Sequence, residues 1–321
     1  MRVLIVKTSS MGDVVHALPA VSDIVRNHPG VVIDWMVEAP FAAIPSLHPG
    51  VRRVLPLAWR KWRKSLWTRP TQAAIAAFRA ELRRDDYDLV LDLQGLLLKS
   101  VLWGLQARGP LVGYDRDSAR EPLAALCYQR GAAVSRQLHA VDRNRRLASA
   151  HLGHVLSQAP PDFGILPPQG GWQASVNPDQ IAVLIPCASR PEKLWPEEDW
   201  AAVGQRLRTA GLTPVVLWGS PEEGQRAQRI AAASGGQVPP LLSVGETAAV
   251  LGRARQIVGL DTGFTHLGAA FGRPAIGIYC DHEPGLAGLT GPGHVASLGG
   301  KGQVPTRAAV LAQLEFHLRV R

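Results

Sequence analysis

The fold class of the chain is decided by the stretch MRVLIVKTSSMGDVVHALPAVSDIV, residues 1–25. Its apolar run from Val3 to Val6 is continuous, as expected of a strand that is buried on both faces of a sheet. Residues 18–25 carry apolar side chains at helical spacing, and the polar segment that precedes them contains a glycine, which favours a turn. The stretch therefore predicts a strand, a short loop and a helix, the first half of a βαβ unit.

The same alternation of short β-branched runs and helical stretches continues along the chain. Continuous apolar strands separated by amphipathic helices are typical of parallel sheets with helices on both faces. We therefore predict an α/β fold built from doubly wound, Rossmann-like parallel sheets. The predicted strands are 2–7, 32–37, 53–57, 89–93, 111–114, 180–185, 214–218, 256–260 and 275–279, and the predicted helices include 18–25, 73–83 and 200–210.

A segment rich in proline and glycine, residues 157–179, divides the predicted strands into two sets. Such a composition is typical of a linker between domains. We predict an N-terminal domain over residues 1–160 and a C-terminal domain over residues 161–321. Ligands are expected beyond the carboxyl ends of the strands, in a cleft between the domains. The helical spacing of residues 306–319 predicts a closing helix, expected to pack back toward the N-terminal domain.

The net charge of +9 lies entirely in the first half of the chain. Residues 1–160 hold 22 Lys and Arg against 13 Asp and Glu, whereas residues 161–321 hold 13 of each. Between Val51 and Pro70 there are seven basic residues and no acidic one. A surface of one sign attracts partners of the opposite sign. Nucleic acid, anionic lipid headgroups and a phosphorylated or carboxylated sugar all satisfy this requirement.

The composition, with 46% hydrophobic and 19% charged residues, is that of a globular protein. The apolar runs are too short for a membrane span and the first residues do not resemble a signal peptide, so we expect a cytoplasmic protein. The three cysteines are far apart and are expected to be reduced thiols. His151 with His154, and residues 280–282, are weak candidates for metal ligands because no suitable partners stand near them in the sequence.

The polar segment after the first strand ends in Ser10-Met11-Gly12-Asp13. A glycine at a strand-to-helix turn lets a ligand approach the backbone, and a helix N-terminus favours anions. The segment matches neither GxGxxG nor GxxxxGK[ST], so it indicates neither a dinucleotide fingerprint nor a P-loop. Two interpretations of Asp13 stay open: a cap of the following helix, or a general base that takes a proton from an acceptor hydroxyl.

The segment DTGFTH, residues 261–266, also stands between a predicted strand and a predicted helix. The backbone N–H groups of Thr262 and Gly263 can hold a pyrophosphate at the positive end of the helix dipole. His266 lies one turn further and is expected to face the same ligand. Asp261 is either a capping residue or a part of this ligand site.

Two further loops follow predicted strands of the second half. In the first loop, residues 186–196, Ser189 and Lys193 offer a hydroxyl and a cation to phosphate oxygens. In the second, residues 218–223, a carboxylate of Glu222 or Glu223 could bind a ribose diol. The structural alternatives are a surface loop with incidental charge for the first and an acid at a helix start for the second.

The basic segment, defined as residues 59–69, interleaves tryptophan with arginine and lysine. On a helix, Arg60, Arg63 and Lys64 would share one face because they are three and four residues apart. A solvated charged face, contact with a membrane surface and stacking on single-stranded nucleic acid are all compatible with this pattern.

Together these motifs resemble those of the bacterial lipopolysaccharide heptosyltransferases, glycosyltransferase family 9. The motifs follow the family order over nearly the whole chain. They are MRVLIVKTSSMGD at 1–13, WRKWRK at 59–64, AREPL at 119–123, KLWPEE at 193–198, DTGFTH at 261–266 and GRP at 272–274.

The resemblance implies a glycosyltransferase with two Rossmann-like domains in the GT-B arrangement, facing a central cleft. The implied reaction moves L-glycero-D-manno-heptose from ADP-heptose to the Kdo of Kdo2-lipid A, in the synthesis of the lipopolysaccharide inner core. The implied location is peripheral, on the cytoplasmic face of the inner membrane. The expected partners are the two substrates and the membrane surface, without nucleic acid, and the expected state is a monomer. We expect no cofactor and no metal requirement.

Carried over residue by residue, the resemblance makes Asp13 the general base. The implied donor-binding residues are Ser189, Lys193, Glu222, Asp261, Thr262, Gly263 and His266. The implied acceptor-binding residues are Ser10, Gly12, Arg60, Lys61, Arg63, Lys64, Gln94, Arg120 and His139. The chain departs from the family at Cys187-Ala188-Ser189, where paired hydroxyl residues are expected, so that only Ser189 can supply this contact.

The implied mechanism is a single displacement that inverts the anomeric carbon of the donor. Asp13 would deprotonate the attacking hydroxyl, while Lys193 and the helix dipole at Thr262 would stabilise the departing ADP. One alternative is heptosyltransferase II, whose acceptor already carries heptose, or another family 9 transferase. More distant alternatives are a GT-B-like sugar-nucleotide epimerase, which needs no acceptor, and a non-catalytic nucleotide-binding protein.

Overall fold

A computed structural model describes residues 1–172 and 180–320 of the chain. It contains two compact units, Met1–Gly164 and Ile165–Arg321, so the division lies within the segment rich in proline and glycine. No helix of the described residues is long and apolar enough to cross a membrane.

The first unit is built on a six-stranded parallel sheet with the strand order β3-β2-β1-β4-β5-β6. The predicted α/β fold with parallel sheets is therefore confirmed. The sixth strand was not predicted, because it is only three residues long and largely exposed. The strands are β1 Arg2–Val6, β2 Val32–Glu38, β3 Val51–Leu57, β4 Leu89–Asp92, β5 Leu111–Tyr114 and β6 Arg130–Ala132.

Helices cover this sheet, and the apolar run of β1 lies at its centre. Val3, Leu4, Ile5 and Val6 are fully buried, as expected of a strand with helices on both faces. The α-helices are α1 Met11–Val15, α2 Leu18–Asn27, α3 Trp59–Trp62, α4 Arg69–Leu82, α5 Leu102–Gly104 and α6 Ala140–Leu152. A π-helix, Leu97–Val101, leads into α5, and 3-10 helices cover Ala39–Phe41, Pro45–Leu47 and Pro122–Cys127.

The second unit carries, among its described residues, a five-stranded parallel sheet with the order β11-β10-β9-β7-β8. The strands are β7 Ile181–Ile185, β8 Thr213–Val216, β9 Gln256–Leu260, β10 Ala275–Tyr279 and β11 Val295–Gly299. The helices are α7 Glu197–Thr209, α8 Pro221–Ser234, α9 Val244–Arg253, α10 Gly263–Ala270, α11 Pro284–Ala287 and α12 Arg307–Arg319, with a 3-10 helix at Pro191–Lys193. The edge strand β11 was not predicted, since its residues are only half-buried and mostly small.

The closing helix α12 forms within the predicted range, with Thr306 as its N-cap. Its buried Val310 and Leu314 join the apolar core of the second unit. Ion pairs join Arg206 to Glu315 and Asp199 to Arg307, and so tie α12 to α7. These contacts fix the helix on its own unit, and the expected packing toward the first unit stays a prediction.

In each sheet, later strands are added first on one side of the central strand and then on its other side. At this reversal a crevice is expected at the carboxyl ends of the two adjacent strands. In the first sheet β1 lies between β2 and β4, and in the second β7 lies between β8 and β9. Ligands of open α/β sheets bind at such switch points, outside the carboxyl ends of the strands. The two places to look for function are therefore the ends of β1 with β4, and of β7 with β9.

Candidate functional site

Asp13 lies in α1, just beyond the carboxyl end of β1. One carboxylate oxygen, Oδ2, accepts hydrogen bonds from the Ser10 backbone N–H at 2.8 Å and from the Ser10 hydroxyl at 3.0 Å. The side chain of Asp13 is half-buried and that of Ser10 is exposed. Asp13 thus fixes the start of α1, as the capping interpretation predicts. Its second oxygen, Oδ1, is not used in these two bonds, so the same geometry is compatible with a general base.

The loop that carries Asp13 is held by the end of the neighbouring strand β4. The side-chain oxygen of Gln94 accepts hydrogen bonds from the backbone N–H groups of Thr8, at 3.0 Å, and Ser9, at 3.1 Å. Buried Asp92 in turn accepts the backbone N–H of Gln94 at 2.8 Å. Gln94 is buried, and its side-chain oxygen holds this loop in place. Its role as an acceptor ligand stays a prediction.

A buried cation lies beside Asp13 that the sequence motifs did not single out. Lys7 directly follows β1, is buried, and donates its Nζ to the Leu93 carbonyl at 2.8 Å. Burial lowers the pKa of the Lys7 ammonium, and the nearby carboxylates of Asp13 and Asp92 only partly offset this effect. The crevice at the ends of β1 and β4 therefore combines two carboxylates with a partly desolvated amine.

The basic segment is held against the first unit by its tryptophans. The rings of Trp59 and Trp62 lie 5.7 Å and 5.5 Å from the ring of Trp103, measured between centroids. Burial of these aromatic rings leaves the cationic side chains outside. The exposed cations of the segment are Arg60, Lys61, Arg63, Lys64 and Arg69.

The helix predicted for these cations is shorter than expected. It ends at Trp62, with Arg63 as its C-cap, so Lys64 lies beyond it. Its start is fixed by Glu38 at the end of β2, whose Oε1 accepts the backbone N–H of Arg60 at 3.2 Å. Glu38 is buried, and no sequence motif indicates this role, because Glu38 and Arg60 are 22 positions apart in the chain.

Two of the seven basic residues between Val51 and Pro70 are not free to bind an anion. Arg52 and Arg53 both donate to buried Asp34, at 2.7 Å and 2.8 Å, and both also contact Asp85. Tyr87 donates its hydroxyl to the same carboxylate at 2.8 Å. The expectation that the whole run forms one anion-binding surface is therefore wrong for this pair, whose charges are neutralised within the fold.

The remaining acceptor candidates occupy different places in the first unit. Arg120 is exposed and directly precedes Glu121, the N-cap of the 3-10 helix Pro122–Cys127. His139 is the N-cap of α6 and accepts the backbone N–H of Val141 at 3.3 Å. Its ring lies 5.5 Å from that of His16, in an edge-to-face contact. Their binding roles stay predictions.

In the second unit, three of the predicted donor residues meet at the switch point. The Lys193 Nζ lies 2.5 Å from Oδ2 of Asp261, and the His266 Nε2 lies 3.2 Å from the other oxygen. Lys193 also donates to the Asp261 backbone carbonyl at 3.2 Å. These residues follow β7 and β9, 68 positions apart for Lys193 and Asp261, and are joined because the two strands pair.

The charge of this trio is set by its hydrogen bonds. Burial alone would raise the pKa of the Asp261 carboxyl, but the bonds from His266 and Lys193 outweigh it and hold the pKa well below its usual range. Asp261 is therefore an ionised carboxylate that orients the ammonium of Lys193. Lys193 has one further proton to offer, because an ammonium carries three donors and two of them bind Asp261.

The start of α10 lies directly beside the trio. Thr262 is the N-cap with extended backbone, and Gly263 is the first helical residue. Close approach of helix and strand depends on Gly259, where an added Cβ would stand 2.3 Å from the Thr265 hydroxyl oxygen. The unpaired backbone N–H groups at a helix start favour an anion.

The other donor candidates lie at the same edge of the sheet but contact other groups. Ser189 is exposed in the loop after β7. Glu222 is exposed in the first turn of α8, where it accepts the Ser220 hydroxyl at 2.9 Å. The backbone N–H of Glu222 itself and then the Ser220 hydroxyl hold the pKa of the Glu222 carboxyl below its usual value. Cys187 is buried, and burial raises the pKa of its thiol to about 12. Cys187 is therefore not available to a ligand as a thiolate at neutral pH.

The histidine pair considered for metal binding has other contacts. The ring of His151 lies 2.8 Å from the Gly113 carbonyl, and the His154 ring lies 3.2 Å from that of His28. Across residues 1–172 and 180–320, no three His, Cys, Asp or Glu side chains are grouped as metal ligands.

Comparison with known proteins agrees with this geometry. Residues 75–311 match the model of glycosyltransferase family 9 (heptosyltransferase). The chain is 42% identical over 296 residues to lipopolysaccharide heptosyltransferase 1 of Escherichia coli K12, covering 90% of each chain.

Two solved structures of the E. coli heptosyltransferase WaaC also match. The structure with ADP gives a TM-score of 0.89 at 40% identity, covering 99% of this chain and 100% of the other. The structure with ADP-2-deoxy-2-fluoro heptose gives 0.84 at 37% identity, covering 100% of both chains. The two parallel-sheet units, the motifs at their switch points and these matches agree, and the chain belongs to glycosyltransferase family 9, the heptosyltransferases.

Proposed function

We propose that the chain transfers L-glycero-D-manno-heptose from ADP-heptose to the Kdo of Kdo2-lipid A, in the synthesis of the lipopolysaccharide inner core. The observation that carries the proposal is the match, over the full length of both chains, to the E. coli enzyme solved with an ADP-heptose analogue. The identity of 42% to lipopolysaccharide heptosyltransferase 1 supports the same reaction.

In this proposal Asp13 is the general base. Its carboxylate takes the proton of the acceptor hydroxyl as the oxygen attacks the anomeric carbon of heptose. A bond forms between that oxygen and the anomeric carbon, the bond to the ADP phosphate oxygen breaks, and the configuration inverts. The hydrogen bonds from Ser10 to one oxygen support this role, because they orient the carboxylate and leave its other oxygen for the substrate.

The departing ADP gains negative charge, which groups of the second unit can stabilise. We assign its pyrophosphate to the backbone N–H groups at Thr262 and Gly263 and to the ammonium of Lys193. Ionised Asp261 holds that ammonium in place. Ser189, Glu222 and His266 complete the proposed donor site. Because these cationic and dipolar groups can stabilise the leaving group, the proposal includes no metal requirement.

The acceptor is assigned to the first unit, whose charge suits it. Kdo2-lipid A presents carboxylates and phosphates, and the exposed cations of the basic segment, with Arg120, match them in sign. The same chemistry supports a peripheral position on the cytoplasmic face of the inner membrane, where a lipid-anchored acceptor would be presented.

An assay of ADP release tests the function against its rivals. With ADP-heptose and a chelator present, we expect release that depends on Kdo2-lipid A and that is at least tenfold slower when the acceptor already carries heptose. Consumption of ADP-heptose without acceptor would identify an epimerase, and preference for the heptosylated acceptor would identify heptosyltransferase II. Loss of activity in chelator, restored by a divalent cation, would overturn the metal-independent mechanism.

A further inference from the structure

Five exposed leucines of the first unit lie on helical segments that contact one another, and their outer side is called here the leucine face. Leu98, Leu102 and Leu105 are spaced four and three residues apart, on the outer side of the π-helix and α5. Leu123 and Leu126 are three residues apart on the 3-10 helix Pro122–Cys127. The exposed fractions reach 60% for Leu98 and 76% for Leu126. Grouped apolar side chains of this size on a soluble surface mark an interaction site.

The two halves of the leucine face belong to one rigid structure. The π-helix contacts the 3-10 helix directly. Their starts are joined by the Glu121 side chain, which accepts the backbone N–H of Leu97 at 2.7 Å. The inner sides of both helices enter the same apolar core, through buried Val101, Trp103 and Ala124. The exposed leucines are therefore held outward by a packed core.

The leucine face borders the basic segment. Trp59 and Trp62 pack against Trp103 of α5, which joins the segment to the helix that carries Leu102 and Leu105. Lys99 is exposed beside Leu98, and Trp67 within the segment is 91% exposed. Apolar side chains bordered by cations, with an exposed tryptophan, are the composition of a surface that binds a bilayer at its headgroup level.

The leucine face lies at the same edge of the sheet as the loop that carries Asp13. The π-helix starts a few residues beyond β4, whose end holds the Asp13 loop through Gln94. The Glu121 backbone N–H donates to the Gly95 carbonyl at 3.3 Å, which places the start of the other leucine helix at the same edge of the sheet. A bilayer against this face would lie at the edge where Asp13 stands.

We propose that the leucine face, with the adjoining basic segment, docks this enzyme on an anionic lipid bilayer. This deepens the proposed function, on which it rests for its purpose, by naming the side chains that bring the enzyme to a lipid-anchored acceptor. The partner follows from charge complementarity: the five exposed cations of the segment favour anionic headgroups, while the leucines enter the boundary of the acyl chains.

The test is sedimentation of the full chain with vesicles that contain neither ADP-heptose nor Kdo2-lipid A. The vesicles are phosphatidylethanolamine with phosphatidylglycerol, or phosphatidylcholine alone. The test variant carries Leu98→Gln, Leu123→Gln and Leu126→Gln. The control variant carries Val155→Gln, Leu166→Gln and Leu241→Gln, which replace three side chains of similar exposure elsewhere on the surface.

We expect the parent and the control to bind anionic vesicles, with affinity that falls as salt rises, and to bind neutral vesicles weakly. The test variant should bind the anionic vesicles at least about tenfold more weakly, because three leucines lose their apolar contact. Binding of the test variant equal to that of the control would overturn the proposal. So would light scattering that shows a parent dimer and a monomeric test variant, because a second copy would then cover the face.

A transfer assay with a deacylated, water-soluble Kdo acceptor separates this proposal from the proposed function. The leucines lie outside the proposed substrate-binding groups, so the test variant should retain the turnover of the parent on this acceptor. Leucine-dependent vesicle binding without transfer by the parent would leave the docking surface standing and refute the reaction. Transfer by the parent, together with vesicle binding that does not change in the test variant, would support the reaction and refute the docking surface.

Discussion

Asp13 and Asp261 both follow the carboxyl end of a central strand, yet their hydrogen bonds prepare them for different tasks. Asp13 is half-buried and accepts two bonds on a single oxygen, both from Ser10. Asp261 is bonded on both oxygens, by Lys193 and by His266. The first carboxylate can still meet a hydroxyl proton, whereas the second orients the Lys193 ammonium and the His266 ring.

Replacing Asp13 by asparagine tests the base directly. We expect Asp13→Asn to lower kcat by at least about a hundredfold, because the amide keeps the shape but cannot take the proton. The Kd for ADP should stay within about twofold of the parent, as measured by calorimetry. Near-normal turnover would show that Asp13 is only a helix cap, and Ser10→Ala serves as the control for disturbance of the loop.

Asp261 predicts a particular pH dependence of stability. Its pKa is held below the usual range in the folded protein, so its stabilising contribution is complete above the unfolded pKa of about 3.9 and is lost as the pH falls toward the folded pKa. Asp261→Asn should therefore lower the free energy of unfolding by about 2 kcal/mol at neutral pH. The difference from the parent should shrink below about pH 4.

Urea unfolding of the two proteins at neutral and at acidic pH measures this difference. Glu283→Gln, which removes an exposed carboxylate from the same unit, is the matched control and should show little effect at either pH. A gap between parent and Asp261→Asn that stays constant or widens on acidification would contradict the assignment.

At the scale of elements, Arg52 and Arg53 of β3 pair with Asp34 of β2 and therefore have a structural role. The exposed cations of the basic segment are instead proposed to bind the acceptor. Asp34→Ala would remove the buried carboxylate that Arg52, Arg53 and Tyr87 share, so it should destabilise the protein by about 3–5 kcal/mol, although Asp85 would still pair with both arginines. Arg52→Ala should cost only about 1 kcal/mol, because the Arg52 side chain is 41% exposed. The KM for the acceptor should not change in Arg52→Ala, whereas Arg63→Ala should raise it.

The anchoring of α3 by Glu38 gives a second prediction at this scale. Glu38→Ala removes the group that accepts the Arg60 backbone N–H, so the basic segment should loosen. We expect a rise of several-fold in the acceptor KM with kcat and the Kd for ADP nearly unchanged. Glu38→Gln retains an accepting oxygen and should behave like the parent. A fall in kcat alone would show that Glu38 acts in another way.

The elements that could be predicted from sequence are those with a strong apolar pattern. The central strands are continuous apolar runs, and their observed bounds differ from the predicted ones by one or two residues in most cases. The edge strands β6 and β11 were missed, because half-exposed strands of small residues carry no such pattern. The run 59–64 suggested a longer helix, but the observed helix ends at Trp62, and both of its tryptophans contact Trp103, which is distant in sequence.

For the whole molecule, sequence could place most candidate residues at strand ends but could not say which of them touch. The contact of Lys193 with Asp261 depends on the pairing of β7 and β9. Likewise, the charge of +9 pointed to an anionic partner, but only the fold shows that Arg52 and Arg53 are neutralised by Asp34 and Asp85. The leucine face was invisible for the same reason, since its two helices are distant in sequence.

The proposed reaction is tested most directly by analysis of the lipid after incubation of the chain with ADP-heptose and Kdo2-lipid A. Mass spectrometry and NMR of the product should show one added heptose per acceptor, linked to Kdo, with the anomeric configuration opposite to that of the donor. An unmodified lipid, a heptose attached elsewhere or a retained configuration would contradict the account.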